Sequence, residues 1–334
     1  MAEETVLAKR DGRIGRLILN RPKALNALDH AMITAIAAAL DLWRDDPTIH
    51  AVVVEGAGGR AFCAGGDIRA IRDLALAGEH RKIEAYFADE YALNQAIADY
   101  PKPYVALIDG ICMGGGIGVS VHGQFRVVTE AALFAMPETA IGMFPDIGAS
   151  YFLPRLPGAL GMYLGLTGTR LQGADAVTAG LATHFVPQNR LAELSNALAA
   201  DGVACIAAFA LPPPPATWAT QRTAIDDCFG AETVDEIVAR LQAEDSDWAR
   251  TTLAELQRMS PSAVFWSFEI LRRGASLNLR ECLTAELALT RHVTAHADFA
   301  EGVRAMVIDK HRKPRWRPAE LAEVNPGDIA SMFG

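Results

Sequence analysis

Phe62-Cys63-Ala64-Gly65-Gly66-Asp67 and Met113-Gly114-Gly115-Gly116-Ile117-Gly118 decide how this chain is read. Each glycine cluster follows an apolar run that predicts a buried strand, Ala51 to Glu55 for the first and Tyr104 to Ile108 for the second. Each then enters a segment able to start a helix. Small residues at such a junction let a ligand approach the backbone, and the first N–H groups of a helix have no internal acceptor. Two such donors converging on one point stabilise a carbonyl oxygen as it gains negative charge, so the pair is a candidate oxyanion hole. Met136-Pro137-Glu138 and Phe144-Pro145-Asp146 follow, bringing two carboxylates of the kind acyl chemistry uses. For either cluster alone, the competing reading is a tight, closely packed strand-to-helix turn. Neither cluster has a strict G-x-G-x-x-G register with an acidic partner on a following strand, and G-x-x-x-x-G-K-[ST] is absent, so nucleotide binding drops out.

Around these turns the pattern alternates between strand and helix. Thr5 to Lys9 and Arg13 to Leu19 read as a hairpin turning at Asp11-Gly12. Asp29 is suited to cap a helix whose Met32, Ile33, Ile36, Leu40 and Trp43 share one face. A further strand is expected near Leu133 to Ala135, and the stretch from Ile68 to Tyr100 reads as mostly helical. Repeated strand-strand-helix units imply a superhelical α/β core. Pro212-Pro213-Pro214-Pro215 cannot continue a helix and favours a stiff, extended connector, which places a domain boundary there. Beyond it, Val234, Ile237, Val238 and Leu241 recur at helical spacing, Ser260-Pro261-Ser262 is suited to begin another helix, and Leu283 to Val293 forms a third. Arg315-Trp316-Arg317-Pro318 begins a tail.

The 334 residues, 51% hydrophobic and 21% charged, suffice for a large core or two domains. A formal net charge of -9 disfavours a general nucleic-acid binder. The acidic start Met1-Ala2-Glu3-Glu4-Thr5 lacks a signal-sequence pattern, and apolar runs such as Ala204 to Leu211 are short of the roughly 20 residues that span a bilayer. Cys63, Cys112, Cys205, Cys228 and Cys282 show no C-x-x-C spacing, which argues against a disulfide framework and a zinc site. The expectation is a cytoplasmic protein with reduced thiols, no metal and no membrane association. Cys63 and Cys112 lie close to the glycine turns, but free cysteine more often serves as a small buried apolar residue.

Together these segments resemble the enoyl-CoA hydratase/isomerase, or crotonase, superfamily. More closely, Ala61 to Arg69, Gly114 to Phe125 and Ala135 to Asp146 resemble its 3-hydroxyisobutyryl-CoA hydrolase branch. The likeness continues through Tyr151-Phe152-Leu153-Pro154-Arg155-Leu156, Leu166-Thr167-Gly168, Phe299 to Ala305 and Ile308-Asp309-Lys310, so it spans nearly the whole chain. The resemblance implies an α/β fold, a crotonase-like spiral of ββα units with a C-terminal helical domain. The acyl-CoA-binding core is then 1–211, and the mainly helical domain with its tail is 216–334.

By this resemblance the backbone N–H groups of Gly66 and Gly115 are the oxyanion donors, and Glu138 and Asp146 bind or act on substrate. Glu90, Ala64 and Asp67 are further substrate-binding positions, and Lys23 lies in a segment that lines the CoA site. Lys310 and Lys313 are weaker candidates for CoA phosphates. The hydratases' second catalytic glutamate falls at Gly118 here, while Asp146 stands where hydratases commonly carry glycine. That loss and gain point to thioester hydrolysis of a short branched 3-hydroxyacyl-CoA, with hydratase or isomerase activity and a non-catalytic acyl-CoA-binding role as alternatives. No cofactor is implied, since CoA is part of the substrate, and the family pattern is compatible with a homo-oligomer. Structural roles compete at several positions: an exposed first-turn carboxylate for Glu138, a helix cap for Asp146 and Asp67, and a solvated helix face for Glu90. His122 reads as a hydrogen-bonded structural residue.

Overall fold

A computed structural model describes residues 4–333; Met1-Ala2-Glu3 of the acidic start and Gly334 at the end of the tail lie outside it. The chain forms two compact units, Met1–Asp67 with Asp89–Ala135 and Arg170–Thr217, and Ile68–Ala88 with Met136–Thr169 and Trp218–Gly334. The proline run lies at the end of the first unit's last segment, where Thr217 is tied to Asp175 through its N–H (2.7 Å) and hydroxyl (2.6 Å). The units interleave in sequence, in contrast to a single cut between 211 and 216. Segments 68–88 and 136–169 group with the C-terminal helices: the helix Ile68–Leu76 packs on Ala297–Val303, and Leu160–Thr167 packs on Pro261–Gly274.

Among the described residues the first unit holds all the strands: β1 (Val6–Asp11), β2 (Ile14–Leu19), β3 (Ala51–Gly56), β4 (Ala61–Cys63), β5 (Tyr104–Ile108), β6 (Ile111–Met113), β7 (Phe125–Val128), β8 (Leu133–Ala135), β9 (Leu171–Gln172) and β10 (His184–Phe185). They form a sheet ordered β1-β2-β3-β5-β7-β10 and a second ordered β4-β6-β8-β9. Consecutive pairs β3 and β4, β5 and β6, and β7 and β8 each give one strand to each sheet, which is the repeat of a ββα spiral. The strands β2, β3, β5 and β7 run parallel, with Val53 opposite Val105 and Leu107 opposite Val127. Every residue of β5 is buried, as expected of a parallel strand covered on both faces. β1 and β2 pair as the predicted hairpin, with Asp11 and Ile14 the last partners, so the turn itself is Gly12-Arg13. Asp29 caps the helix His30–Arg44 by accepting from the Met32 N–H, and the expected apolar face is buried.

The second unit is helical. The helix Pro261–Gly274 is capped by Ser260 and buries Trp266, Phe268, Ile270 and Leu271. Thr233 caps Val234–Ala243, and Asn278 with Glu281 closes a capping box on Leu279–Val293, which starts four residues before the apolar pattern suggests. The tail is tied to this unit by Trp316 Nε1 donating to the Arg258 carbonyl (3.0 Å) and by the Arg317 N–H donating to Asp298 (2.8 Å).

In the first unit, the helix Gly115–Val121 starts hard against β4, so that a methyl group on Gly116 would lie 2.2 Å from the Cys63 carbonyl oxygen. Gly116→Ala is therefore expected to lower the unfolding free energy by about 1–3 kcal/mol, the usual range for forcing carbon into a packed interior. The intrinsic helix preference for alanine, about 1 kcal/mol, opposes this loss. The urea midpoint measures the outcome, and an unchanged midpoint would show that β4 can yield.

Candidate active site

In the first unit, parallel pairing of β4 with β6 sets Cys63 opposite Cys112 and carries both glycine turns to the same end of the sheet. Gly65 (φ +110°) and Gly114 (φ +45°, ψ -122°) adopt backbone conformations that a side chain would strain. A bridge from Leu28 occupies the neighbours of Gly66: the Leu28 N–H donates to the Gly65 carbonyl (2.8 Å), and the Asp67 N–H donates to the Leu28 carbonyl (2.7 Å). The Ala64 N–H donates to Leu25 (3.0 Å), so it is committed to holding the turn. Gly66 N–H lies outside this pairing, and Gly115 is the first residue of its helix, where an N–H has no intrahelical acceptor. A methyl group on Gly115 would lie 3.2 Å from the Gly66 nitrogen and 2.6 Å from Glu90 Oε1. The structure thus brings together Gly66, Gly115 and Glu90, three of the residues singled out from sequence.

Glu90 is 2% exposed, which excludes the solvated helix face. Asp67 instead has a structural partner, an ion pair with Arg21 at 3.0 Å, and Arg21 also reaches Asp29 at 3.4 Å. The cysteines are poor nucleophiles. Burial pushes the Cys63 thiol up to about 12 and the Cys112 thiol well above its ordinary value. The reactive thiolate form is suppressed at both. His122 caps the end of Gly115–Val121 through its backbone N–H.

In the second unit, Glu138 opens the short 3-10 helix Glu138–Ile141 and is 6% exposed, so it is not the surface carboxylate of the bland reading. Its turn is held from several sides. The Met143 N–H donates to the Glu138 carbonyl (3.0 Å), the Thr139 hydroxyl donates to the Leu166 carbonyl (3.2 Å), and the Ser260 N–H donates to the Thr139 carbonyl (3.1 Å). Asp146 is 5% exposed and begins a tight turn in which its carbonyl accepts from the Ala149 N–H (2.9 Å). Gly148, with no side-chain cap, is the N-cap of the helix Ala149–Phe152, so Asp146 is not the helix cap.

Glu286 escaped the sequence reading. Its carboxyl, fully buried on Leu279–Val293, accepts from the Gly148 N–H (2.7 Å), the Ser150 N–H (3.0 Å) and the Ser150 hydroxyl (2.5 Å). The available signal is a glutamate within the apolar stripe formed by Leu283, Leu289 and Val293. Elsewhere in this unit, a cleft of about 1090 Å³ is lined by cations, among them Arg72, Arg304, Lys313, Arg315 and Arg317, beside Asp298 and Glu301. Lys313 thus lies among basic groups; Lys23 sits on the exposed 3-10 turn Pro22–Ala24 of the first unit, and Lys310 is exposed near the tail. Among the described residues no cluster of three metal-ligating side chains occurs, and no helix is long and apolar enough to cross a membrane.

Burial lifts the Glu286 carboxyl from its usual 4.5 to about 8; the bonds from Ser150 and Gly148 oppose that lift, and the nearby Asp146 charge adds to it. The folded value lies above the unfolded one. Stability from this group is therefore complete below about pH 4.5 and is lost as the pH rises through about 8. The Asp146 charge acts on Glu286, and the Glu286 charge in turn raises the Cys282 thiol. The wild-type protein is expected to lose urea resistance between about pH 5 and 8 relative to Glu286→Gln, which removes this titration. Parallel pH dependences for the two proteins would contradict that assignment.

The sequence profile of the enoyl-CoA hydratase/isomerase family matches residues 14–333. Curated mitochondrial 3-hydroxyisobutyryl-CoA hydrolases from Xenopus laevis and Homo sapiens are 47% and 45% identical, over 98% and 99% of this chain and 88% and 89% of their own lengths. Among solved structures, a carnitinyl-CoA dehydratase from Mycobacterium thermoresistibile matches with TM-score 0.96 at 43% identity. An enoyl-CoA hydratase from Rhodobacter sphaeroides 2.4.1 matches with TM-score 0.93 at 42% identity. Each match covers 99% of this chain and 97% of the other. With a profile spanning nearly all of its length, two strand-to-helix glycine turns side by side and a spiral of paired strands, the chain belongs to the enoyl-CoA hydratase/isomerase family.

Proposed function

We propose that this protein hydrolyses a short branched 3-hydroxyacyl-CoA thioester, with 3-hydroxyisobutyryl-CoA the foremost substrate, releasing 3-hydroxyisobutyrate and CoA as a step of valine catabolism. The observation that carries the reading is the carboxylate pattern. Glu138 and Asp146 are both buried, and the position of the hydratases' second glutamate is Gly118, inside a buried helix. The names of the vertebrate relatives at 45–47% identity support the same activity.

In this reading the N–H groups of Gly66 and Gly115 stabilise the thioester oxygen as negative charge develops, and Glu90 packs beside them as a substrate-contacting carboxylate. Ala64 and Asp67 frame the turn that presents Gly66. Glu138 either takes a proton from the attacking water or attacks the carbonyl carbon itself to form a mixed anhydride that water then opens. In the general-base route water supplies the new acyl oxygen directly. In the nucleophilic route Glu138 supplies it, and water attacking the Glu138 carbonyl carbon of the anhydride restores the side chain. In both, the C–S bond breaks and the CoA sulfur leaves with a proton. Asp146 accepts a hydrogen bond from the 3-hydroxyl, and the basic cleft containing Lys313 offers charge complementary to CoA phosphates. No further cofactor enters this scheme. The five cysteines are unpaired, which supports a reducing compartment, here proposed to be the cytoplasm.

The solved structures described as dehydratase and hydratase favour a second reading, addition of water across an enoyl double bond. Incubation with an acyl-CoA panel and a thiol reagent separates the readings: free CoA marks a hydrolase, and loss of enoyl absorbance without CoA release marks a hydratase. Glu138→Gln is expected to lower kcat by about 100- to 10,000-fold with KM changed little, since an amide keeps the shape but neither accepts the proton nor acts as a carboxylate nucleophile. Near-normal CoA release by the folded variant would remove Glu138 from the chemistry. In H2(18)O, the nucleophilic route labels the Glu138 carboxyl over repeated turnovers, whereas the general-base route leaves it unlabelled.

A site built to bind a hydroxyl rejects analogues lacking it, because a buried polar group is left unpaired. Asp146→Ala should therefore narrow the preference for 3-hydroxyisobutyryl-CoA over isobutyryl-CoA by about 10-fold or more in kcat/KM. An unchanged ratio with both rates lowered would assign Asp146 to water positioning instead.

A further inference from the structure

The turn that carries Asp146 is held in a conformation its sequence does not favour. Ile147 has φ +57° and Gly148 φ +83°, so both central residues of the turn Asp146–Ala149 are left-handed. Glycine accepts this freely, but isoleucine does not; a branched side chain in that region is a backbone outlier. Ile147 is also buried, so local solvation does not explain the conformation. The surrounding structure must over-determine such a turn for it to persist. Glu286 does so. One carboxyl oxygen takes the Gly148 N–H, and the other takes both the N–H and the hydroxyl of Ser150, bonds that span 138 and 136 residues of sequence.

We infer that Glu286 is a positioning residue that locks the turn Asp146–Ala149 and so sets where the Asp146 carboxylate meets the acyl group. The inference rests on the reading of Asp146 as the group that recognises the 3-hydroxyl. Only a carboxyl performs this task. Ionised or neutral, it offers an oxygen to each backbone N–H, whereas an amide offers one oxygen and sets its NH2 against the other donor. Glutamine at this position therefore loses the clasp at Gly148 or at Ser150. The like charge of Asp146 adds to the burial that makes Glu286 reluctant to ionise, which places the two carboxyls within electrostatic reach of each other.

The test is a double-mutant cycle on the full-length protein, with kcat/KM measured for 3-hydroxyisobutyryl-CoA and isobutyryl-CoA. Glu286→Gln is expected to lower kcat/KM for the hydroxylated thioester about 5- to 100-fold, the effect of leaving a buried donor unpaired, and to move the substrate ratio toward that of Asp146→Ala. In the Asp146→Ala background the same change should cost less than about threefold, because its effect runs through the missing carboxylate. Ser150→Ala removes only the hydroxyl bond; its smaller loss, about two- to fivefold, should likewise vanish in that background. Should Glu286→Gln fail to fold, the Ser150 cycle decides. Additive losses, or a Glu286→Gln enzyme that keeps the wild-type substrate ratio, overturn the inference while leaving Asp146 in its role. Wild-type rates and ratio in Asp146→Ala overturn that role and the inference with it.

Discussion

The close approach of two strand-to-helix turns is the constraint on which the first unit depends. β4 and β6 run side by side, and the chain leaves each through glycine; the site of a Gly115 methyl group is 3.2 Å from the Gly66 nitrogen. Any side chain at 115 or 116 would strike Glu90 or the β4 backbone. The glycines therefore do two things at once. They allow the helix Gly115–Val121 to start against the sheet, and they set two backbone N–H groups close together at the end of the parallel strands. The same packing that closes the fold creates the candidate oxyanion site, so a variant that relieves one compromises the other.

Around this frame the titratable groups divide by environment. Cys63 and Cys112 are sealed in the sheet, where burial favours the thiol form. Glu90, Glu138, Asp146 and Glu286 are all buried, and burying a carboxylate is unfavourable unless other interactions offset it. At Glu286 the offset is visible as three hydrogen bonds. A fold that buries carboxylates in this way gives up stability for placement.

The helical second unit supplies that placement for Glu138 and Asp146. The 3-10 turn of Glu138 is held through Thr139 by Leu166 and Ser260, and the left-handed turn after Asp146 is held through Gly148 and Ser150 by Glu286. Ser260 caps a neighbouring helix while its hydroxyl donates to Asp298, which also accepts the Arg317 N–H of the tail. The C-terminal third of the chain thus acts as a scaffold for segment 136–169 of its own unit.

By itself the sequence determined the secondary-structure repeat, the glycine turns and the caps at Asp29 and Ser260. All of these are written in short-range patterns: runs of apolar residues, a capping side chain three positions before its N–H, a glycine where the backbone must turn. Tertiary structure alone decided which residues meet. That Gly115 faces Glu90 and Gly66, that segments 68–88 and 136–169 join the C-terminal helices, that Asp67 is tied to Arg21, and that Asp146 starts a left-handed turn and is not a helix cap all depend on contacts between distant parts of the chain. Glu286 is the clearest case. Local sequence presents it as one charged residue in an amphipathic helix, and only folding, which brings it to N–H groups 136 and 138 residues away, gives a buried carboxyl its reason to be there.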